Sequence, residues 1–266
     1  MKKIPWLLIF LPVCASAAQS PFDGLYAGGQ LGMVYGFFHH TSTSTVNGNL
    51  FYPQTPGFPT GIPLSTSDYS SNLGADAGLH LGYGHVFNRF YLGAEINGDF
   101  QTVHANGHSI TSDPSNADTY ANTTYSARLT NGYGVTLRPG YLITPTLMLY
   151  AKGGFQGSHF QASSTTLYNN VPGGPTIGTT ASGSRQSAGW QAGFGLEKRA
   201  KNHFGFRIED LFSGYQGISA TTQQNFNDPT PPRHGDPPPP PATITNSTHI
   251  RPFTNTIMVG VDYYFG

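Results

Sequence analysis

The chain has 266 residues, of which only 10% are charged, and its 13 basic and 13 acidic side chains give a formal net charge of zero. This balance argues against a strongly basic nucleic-acid-binding protein, because contact with phosphates needs an excess of Lys and Arg. Beyond the first residues, no apolar run approaches the ~18 residues of a membrane helix.

Residues 1–18 predict a secretory signal peptide. Lys2 and Lys3 form a basic start, residues 4–13 an apolar segment and residues 15–17 a small-residue cleavage site. Cys14, the only cysteine, lies in this segment, and Val13 precedes it where a lipidation signal would have a small residue. The sequence therefore predicts export of one domain, residues 19–266, without disulfides or a lipid anchor.

Eight segments of this domain alternate apolar and polar side chains with the period of two that is typical of β-strands. They cover about 25–38, 74–87, 90–101, 124–141, 146–158, 188–199, 203–215 and 251–265. Short turns follow the second, fourth and sixth segments, whereas long loops of about 39–73, 102–123, 159–187 and 216–250 follow the odd-numbered ones. This pattern predicts an all-β fold, an eight-stranded antiparallel up-and-down β-barrel with four long loops on one side.

Aromatic side chains recur on the apolar face near both ends of these strands, and the band between them is aliphatic. Two such belts are typical of a transmembrane barrel, in which the long loops are extracellular. A secreted barrel or sandwich of the lipocalin kind is the alternative, but it explains neither the belts nor the one-sided loops. The belt beside the short turns comprises Tyr83, Phe87, Phe90, Tyr141, Phe204, Tyr263 and Phe265, and the belt beside the loops comprises Tyr35, Phe37, Phe100, Tyr125, Phe155, Trp190, Phe212 and Phe253.

Charged side chains occupy the opposite face of the strands, which is predicted to line the lumen. An eight-stranded barrel has room for little besides side chains, and charges confined there lose hydration unless they pair. We therefore expect a salt-bridged plug, with a gated narrow pore as the alternative. Two residues, Asn131 and Asp210, have lipid-facing parity, and a bulge near the rim would account for Asp210. The predicted lumen network is Asp76, Glu95, Asp99, Arg128, Arg138, Lys152, Glu197, Arg207, Glu209 and Asp262.

Several stretches, in this order along the chain, carry a resemblance to a known family: "DGLYAGGQLG" (23–32), "LYAKGGF" (149–155), "GWQAGFGLE" (189–197), "FRIED" (206–210) and the C-terminal strand. The sequence resembles the OmpA-like, opacity-type eight-stranded outer-membrane barrels of Gram-negative bacteria, small surface proteins of the porin family. The resemblance implies a place in the bacterial outer membrane, among its lipids and lipopolysaccharide. It also implies that Tyr263 and Phe265 mark the chain for the barrel-assembly machinery, although Gly266 follows the final aromatic residue.

The long loops are rich in Ser, Thr, Asn, Gly and Pro, with a run of five prolines at residues 237–241 that predicts a stiff polyproline II segment. Hydroxyl and aromatic groups with few charges suit adhesive contacts, so a host or cell-surface receptor is the expected partner. An inert, variable surface is the alternative.

No catalytic residue, metal site or cofactor is predicted. Ser158 and His159 are adjacent on a strand and so point to opposite faces, which argues against a catalytic dyad. The pairs His39–His40 and His104–His108 lack cysteine and have few carboxylate companions. The predicted function is that of a non-enzymatic structural and surface-interaction protein, which serves either adhesion to a host or neighbouring cell or maintenance of the envelope. A narrow porin-like channel for small solutes and a lipid A-modifying enzyme are the alternatives.

Overall fold

The computed structural model describes residues 20–47, 63–113, 116–169, 177–200, 203–226 and 242–265. The predicted signal peptide, the proline run and Gly266 lie outside these ranges. Within them the regular elements are β-strands, and no helix is long and apolar enough to cross a membrane.

Nine antiparallel strands form one closed sheet. They are β1 Gly24–Asn47, β2 Pro63–Phe87, β3 Phe90–Asp113, β4 Asn116–Thr144, β5 Leu147–Asn169, β6 Ile177–Arg199, β7 Phe204–Tyr215, β8 Ile218–Phe226 and β9 Ala242–Tyr264. Their order is β1-β2-β3-β4-β5-β6-β7-β9-β8, and pairing of β1 with β9 closes the ring. β7 pairs with residues 253–263 of β9, and β8 pairs with residues 242–250 of the same strand. β7 and β8 therefore lie end to end along the same side of β9 and together fill one strand position of the ring.

The wall of the barrel has apolar side chains outside and polar ones inside, as the period-two pattern predicts. Leu79 is 71% exposed and Phe155 is 81% exposed, whereas Glu95 is 2% exposed. The lower belt, beside the short turns, and the upper belt point outward with the one exception described below. The membrane band is the part of the wall between these belts. One lower turn, Asn88-Arg89, joins the paired residues Phe87 and Phe90, and Asn88 has the positive φ of 62° that such tight turns require.

The strands continue above the membrane band into the segments predicted as loops, so the predicted loop ranges 39–73, 102–123, 159–187 and 216–250 are too wide. The first strand runs to Asn47, the third to Asp113 and the fifth to Asn169, and β8 lies wholly within the fourth predicted loop. Outward side chains at this height are mostly hydroxyl-bearing or otherwise polar, so a strand here has no continuous apolar outer face. Ser- and Thr-rich segments then resemble loops, although Thr favours strands.

Above the membrane band the ring divides into two sheets. Pairing of β2 with β3 ends at Asp76 and Gln101, and pairing of β6 with β7 ends at Gly189 and Tyr215. One sheet is β8-β9-β1-β2 and the other is β3-β4-β5-β6. We call this part the outer extension. Its sheets face each other over an apolar cluster, the outer core, as in a water-soluble sandwich: Val34, Phe38, Val103, Ala105, Tyr125, Ala127, Leu129, Phe160, Ala162, Tyr215, Ile218 and Ile250.

A β-bulge reverses the orientation of the upper half of β4. The register of β4 shifts against β5 between Leu129 and Gly132, and β3 shifts against β4 at the same height. Consequently Tyr125 is 3% exposed and Arg128 is exposed. Two predictions are therefore wrong: Arg128 does not line the lumen, and Tyr125 does not belong to the upper belt. The bulge also explains the parity of Asn131, because one extra residue exchanges the two faces of a strand.

No such shift occurs at Asp210, where β7 pairs in continuous register with β6 and β9. The predicted bulge at Asp210 is therefore wrong. The outward carboxylate of Asp210 instead accepts a hydrogen bond of 2.6 Å from the Nδ2 of Asn255 on the neighbouring strand.

Candidate functional site

The most highly charged part of the lumen lies at the middle of the membrane band. Glu95 at its centre accepts three charged contacts: Lys152 Nζ at 2.5 Å, Arg207 Nη1 at 2.9 Å and Arg138 Nη1 at 3.4 Å. Each partner also contacts a second acid. These side chains are at most 4% exposed, so every charge depends on its partners for solvation. We call this group the charge cluster: Glu95, Arg138, Lys152, Glu197, Arg207, Glu209 and Asp262.

Strand register and small neighbours place these side chains. Lys152 pairs with Gly193, Glu209 pairs with Gly195, and neither glycine occupies lumen space with a side chain of its own. A Cβ atom at Gly195 would collide with the phenol of Tyr150. The glycines on the inner face therefore make room for long charged and aromatic side chains.

Phenols extend the charge cluster downward. Tyr26 accepts a hydrogen bond of 2.8 Å from Arg138, Tyr150 donates to Glu209 over 2.7 Å, and Tyr264 donates to Glu197 over 2.6 Å. The predicted lumen network omits these tyrosines, although they have lumen-facing parity. Together they form the lower closure of the lumen: Phe22, Tyr26, Tyr91, Leu142, Met148, Tyr150 and Tyr264.

Two further polar contacts were also missed. His80 Nε2 lies 2.5 Å from Asp262 Oδ1, and the Arg199 guanidinium carbon lies 3.7 Å from the centroid of the Tyr264 ring. Inward parity identifies His80, and it also identifies Arg199, which lies two residues after Glu197, whereas the exposed Lys198 between them has outward parity.

Two predicted members of the network stand apart from it. Asp76 accepts a hydrogen bond of 2.9 Å from Gln101, and Asp99 accepts hydrogen bonds from Asn97 and Gln30 at 2.5 and 3.3 Å. Among the described residues, no cationic group lies within 4.0 Å of either carboxylate. The predicted network thus divides into a charge-paired middle and an amide-bound acidic pair above it.

Arg128 centres a polar patch on the outside of the barrel, just above the upper belt. Register places His104, Arg128, Gln161 and Ser184 side by side on β3, β4, β5 and β6. The ring of His159 lies 3.1 Å from Gln161 Nε2 and 3.3 Å from Ser184 Oγ. Shallow cavities of about 730 and 450 Å³ flank Arg128. We call these five residues the rim patch.

Histidine and serine positions bear on catalysis and metal binding. Ser158 points into the lumen and His159 outward, as their adjacency predicts. His40 is fully buried in the outer extension, stacked 4.0 Å from the Tyr125 ring, and burial lowers its pKa to about 4. In the described part of the chain, no three His, Cys, Asp or Glu side chains form a metal-ligand group.

A closed antiparallel sheet with lipid-facing aliphatic side chains between two aromatic belts satisfies all its backbone hydrogen bonds internally. These features define an integral membrane β-barrel of the outer-membrane type. Residues 6–265 match the family described as "Outer membrane protein beta-barrel domain", and the chain belongs to this family. The protein is accordingly located in the outer membrane.

A search of curated proteins finds no match. Solved structures of similar fold include the outer membrane protease OmpT from Escherichia coli, with 10% identity, a TM-score of 0.44, and coverage of 94% of this chain and 99% of that one. The attachment invasion locus protein Ail of Yersinia pestis has 14% identity and a TM-score of 0.27, with coverage of 88% and 99%. The toluene transporter TodX of Pseudomonas putida has 9% identity and a TM-score of 0.20, with coverage of 88% and 89%. Likenesses this weak carry no argument about function.

Proposed function

We propose that this protein is a non-enzymatic surface-interaction protein, exported by a cleaved signal peptide at residues 1–18, whose folded outer extension contacts a receptor on a host or neighbouring cell. The observation that carries the proposal is the outer core, because it holds two sheets of Ser- and Thr-rich strands in a fixed arrangement. A fixed surface loses less conformational entropy on binding than a mobile loop does.

The contents of the lumen favour this function over a channel. The charge cluster fills the middle of the barrel, the lower closure lies beneath it and the outer core lies above it. Solute passage would require separation of buried charges from their partners, each at a cost of several kcal/mol. A stable open conductance of the purified barrel in planar bilayers would contradict the proposal.

The geometry at Ser158 and His159 favours it over an enzyme, because the two side chains lie on opposite sides of the wall. A lipid A-modifying activity would need a nucleophile and a base within hydrogen-bond reach of each other. Mass spectra of lipid A from cells with and without the gene test this alternative, and we expect identical spectra.

The exposed aromatic pair His39 and Tyr69 is the receptor contact that we propose on the outer extension. The two rings stack with centroids 4.5 Å apart, and Tyr69 is 75% exposed. Exposed tyrosines supply large contact area with few rotatable bonds. Tyr69→Ala should lower adhesion of barrel-expressing bacteria to cultured host cells at least tenfold. Tyr133→Ala is the matched control, because Tyr133 is 57% exposed but lies at the upper belt, below the outer extension. Equal adhesion of both variants and wild type would contradict this surface.

We assign two partners within the membrane. The rim patch lies at the height of the outer-leaflet headgroups, where Arg128 can bind lipopolysaccharide phosphates. Arg128→Gln should reduce co-purified lipopolysaccharide, and an equal loss in Arg251→Gln would show that the rim patch is not special. Tyr263 and Phe265 point outward at the lower rim with ring centroids 5.2 Å apart, and this exposure supports our proposal that they bind the barrel-assembly machinery. Phe265→Ala should slow membrane assembly of the chain.

A further inference from the structure

The acidic pair Asp76 and Asp99 lies where the barrel wall divides. Asp76 belongs to the last β2–β3 register pair, opposite Gln101, and Asp99 lies opposite Gly78 on the same inner face. One residue higher, Thr102 Oγ1 accepts a hydrogen bond from the Ala75 backbone N–H, and no backbone register pair joins β2 and β3 above this point. The pair therefore lies in the fork between the membrane band and the outer extension.

The lumen holds two more buried acidic side chains than buried Lys and Arg side chains, and Asp76 and Asp99 are the two acids without a basic partner. Among the residues that the structure describes, six inward acids are buried, against the four buried side chains of Lys or Arg, which are Arg138, Lys152, Arg199 and Arg207. The charge cluster uses its cations on Glu95, Glu197, Glu209 and Asp262. Two carboxylates remain without a counter-charge among the described residues, in a region where an uncompensated charge is strongly unfavourable.

Unpartnered oxygen atoms surround the pair. Asp76 Oδ1, Gln101 Oε1 and Asn97 Oδ1 are buried and accept no hydrogen bond from the described residues. Asp76 is 4% exposed, Gln101 6% and Asn97 8%. Each of the two amides donates its N–H to a carboxylate, which keeps its own oxygen beside that carboxylate. The site thus offers hard oxygen ligands and leaves part of its acceptor capacity unused.

We infer that Asp76, Asp99 and Gln101 bind a divalent hard cation of the Ca²⁺ class in the fork. Ca²⁺ takes carboxylate, amide and water oxygens in a flexible geometry, whereas Zn²⁺ selects nitrogen and sulfur, which this site lacks. Two negative charges match one divalent ion. A Cβ atom at Gly78 would collide with Asp99 Oδ1, so glycine at this position lets the Asp99 carboxylate lie against β2, the strand that carries Asp76. The bound cation joins β2 to β3 at the point where their pairing ends.

Terbium, a luminescent substitute for Ca²⁺, tests this inference on the full chain refolded in detergent with the ion present. Tyr215, a buried member of the outer core above the fork, can sensitise the luminescence. We expect wild-type protein to give Tb³⁺ luminescence that Ca²⁺ displaces, and Asp76→Asn/Asp99→Asn to lose at least 90% of it. Asp68→Asn/Asp210→Asn is the matched control, with the same charge change away from the fork. Equal luminescence from the two double variants would overturn the inference.

Hydrogen exchange supplies a readout that does not depend on the acidic variant folding. Ca²⁺ should slow backbone exchange at least tenfold at the upper ends of β2 and β3, around Ala75 and Val103, and leave the lower turn unaffected. The single variant Asp76→Asn should reduce that slowing. No Ca²⁺ effect on exchange in wild-type protein, or an equal effect of Na⁺ at the same ionic strength, would overturn the divalent assignment. An infrared band of protonated carboxylic acid that persists in Ca²⁺ and vanishes in Asp76→Asn/Asp99→Asn would also overturn it.

Discussion

Glu95→Gln is the sharpest test of how the barrel is held closed. The substitution keeps the shape of the side chain and removes the charge on which Lys152, Arg207 and Arg138 converge at 2.5, 2.9 and 3.4 Å. Loss of one partner from a buried ion pair costs about 3–5 kcal/mol. Each cation keeps a second acid here, for example Arg138 with Glu197 at 2.9 Å. We therefore expect a loss near the lower end, about 3 kcal/mol.

Reversible urea unfolding in lipid vesicles measures this change. Trp190 is the only tryptophan in residues 19–266 and is 48% exposed in the upper belt, so its fluorescence reports membrane insertion. Glu209→Gln is a graded control, because its two charged contacts are longer, at 3.4 and 3.5 Å. It should destabilise the barrel by less than Glu95→Gln does.

A double-mutant cycle separates the charge interaction from general damage. Lys152→Met combined with Glu95→Gln should cost less than the sum of the single changes, since each variant alone leaves the other group without its 2.5 Å partner. Additive losses would refute the reasoning, and so would a Glu95→Gln protein within about 0.5 kcal/mol of wild type, the usual effect of a surface substitution.

Three further predictions concern other parts of the chain. Phe160→Ala removes a fully buried ring of the outer core, so the outer extension should lose about 3–5 kcal/mol and become protease-sensitive while the membrane band stays intact. His40 has a pKa of about 4 in the fold against about 6.5 in an unfolded chain, so the unfolded state binds more protons between these values. Stability of the outer extension should be fully present above pH ~6.5 and fall as the pH drops towards 4. Pulse proteolysis against pH measures it, and an unchanged pH dependence in His40→Phe would contradict the assignment. Asn88→Gly should leave stability nearly unchanged and Asn88→Val should lower it by about 1–3 kcal/mol, as judged by urea unfolding, because Asn88 has a φ of 62°.

The sequence predicts the membrane band well and the outer extension poorly, for one physical reason. In the band the two faces of a strand differ sharply, as between Leu79 outside and Asp99 inside, so alternation reveals both the strand and its orientation. Above the band, water lies outside, and hydroxyl side chains alternate with residues as small as Ala127 or Ala162. That contrast is too weak to separate a strand from a loop.

The candidate sites show the same division. Nine of the ten charged residues that parity assigns to the inner face are buried, but parity cannot show that Asp76 and Asp99 would remain unpaired, because pairing depends on side-chain reach across the barrel. The error at Arg128 has a local cause. A bulge adds one residue to a strand and has no distinctive composition. A prediction based on period-two alternation therefore assigns the wrong face to every side chain beyond the bulge.

The bulge beside Asn131 lets one continuous strand place its apolar side chains outward in the membrane and inward where the outside is water. Below it, β4 turns Tyr133 and Val135 towards hydrocarbon, and above it the same strand hides Leu129 and Tyr125 from water. Deletion of a single residue at this bulge would reverse the orientation of every side chain of β4 above it. Leu129 and Tyr125 would then be exposed to water, and the guanidinium of Arg128 would point inward. The bulge therefore makes the pattern of apolar and polar residues in the outer extension independent of the pattern in the membrane band. Either part can change its sequence without reversing the side-chain orientation of the other.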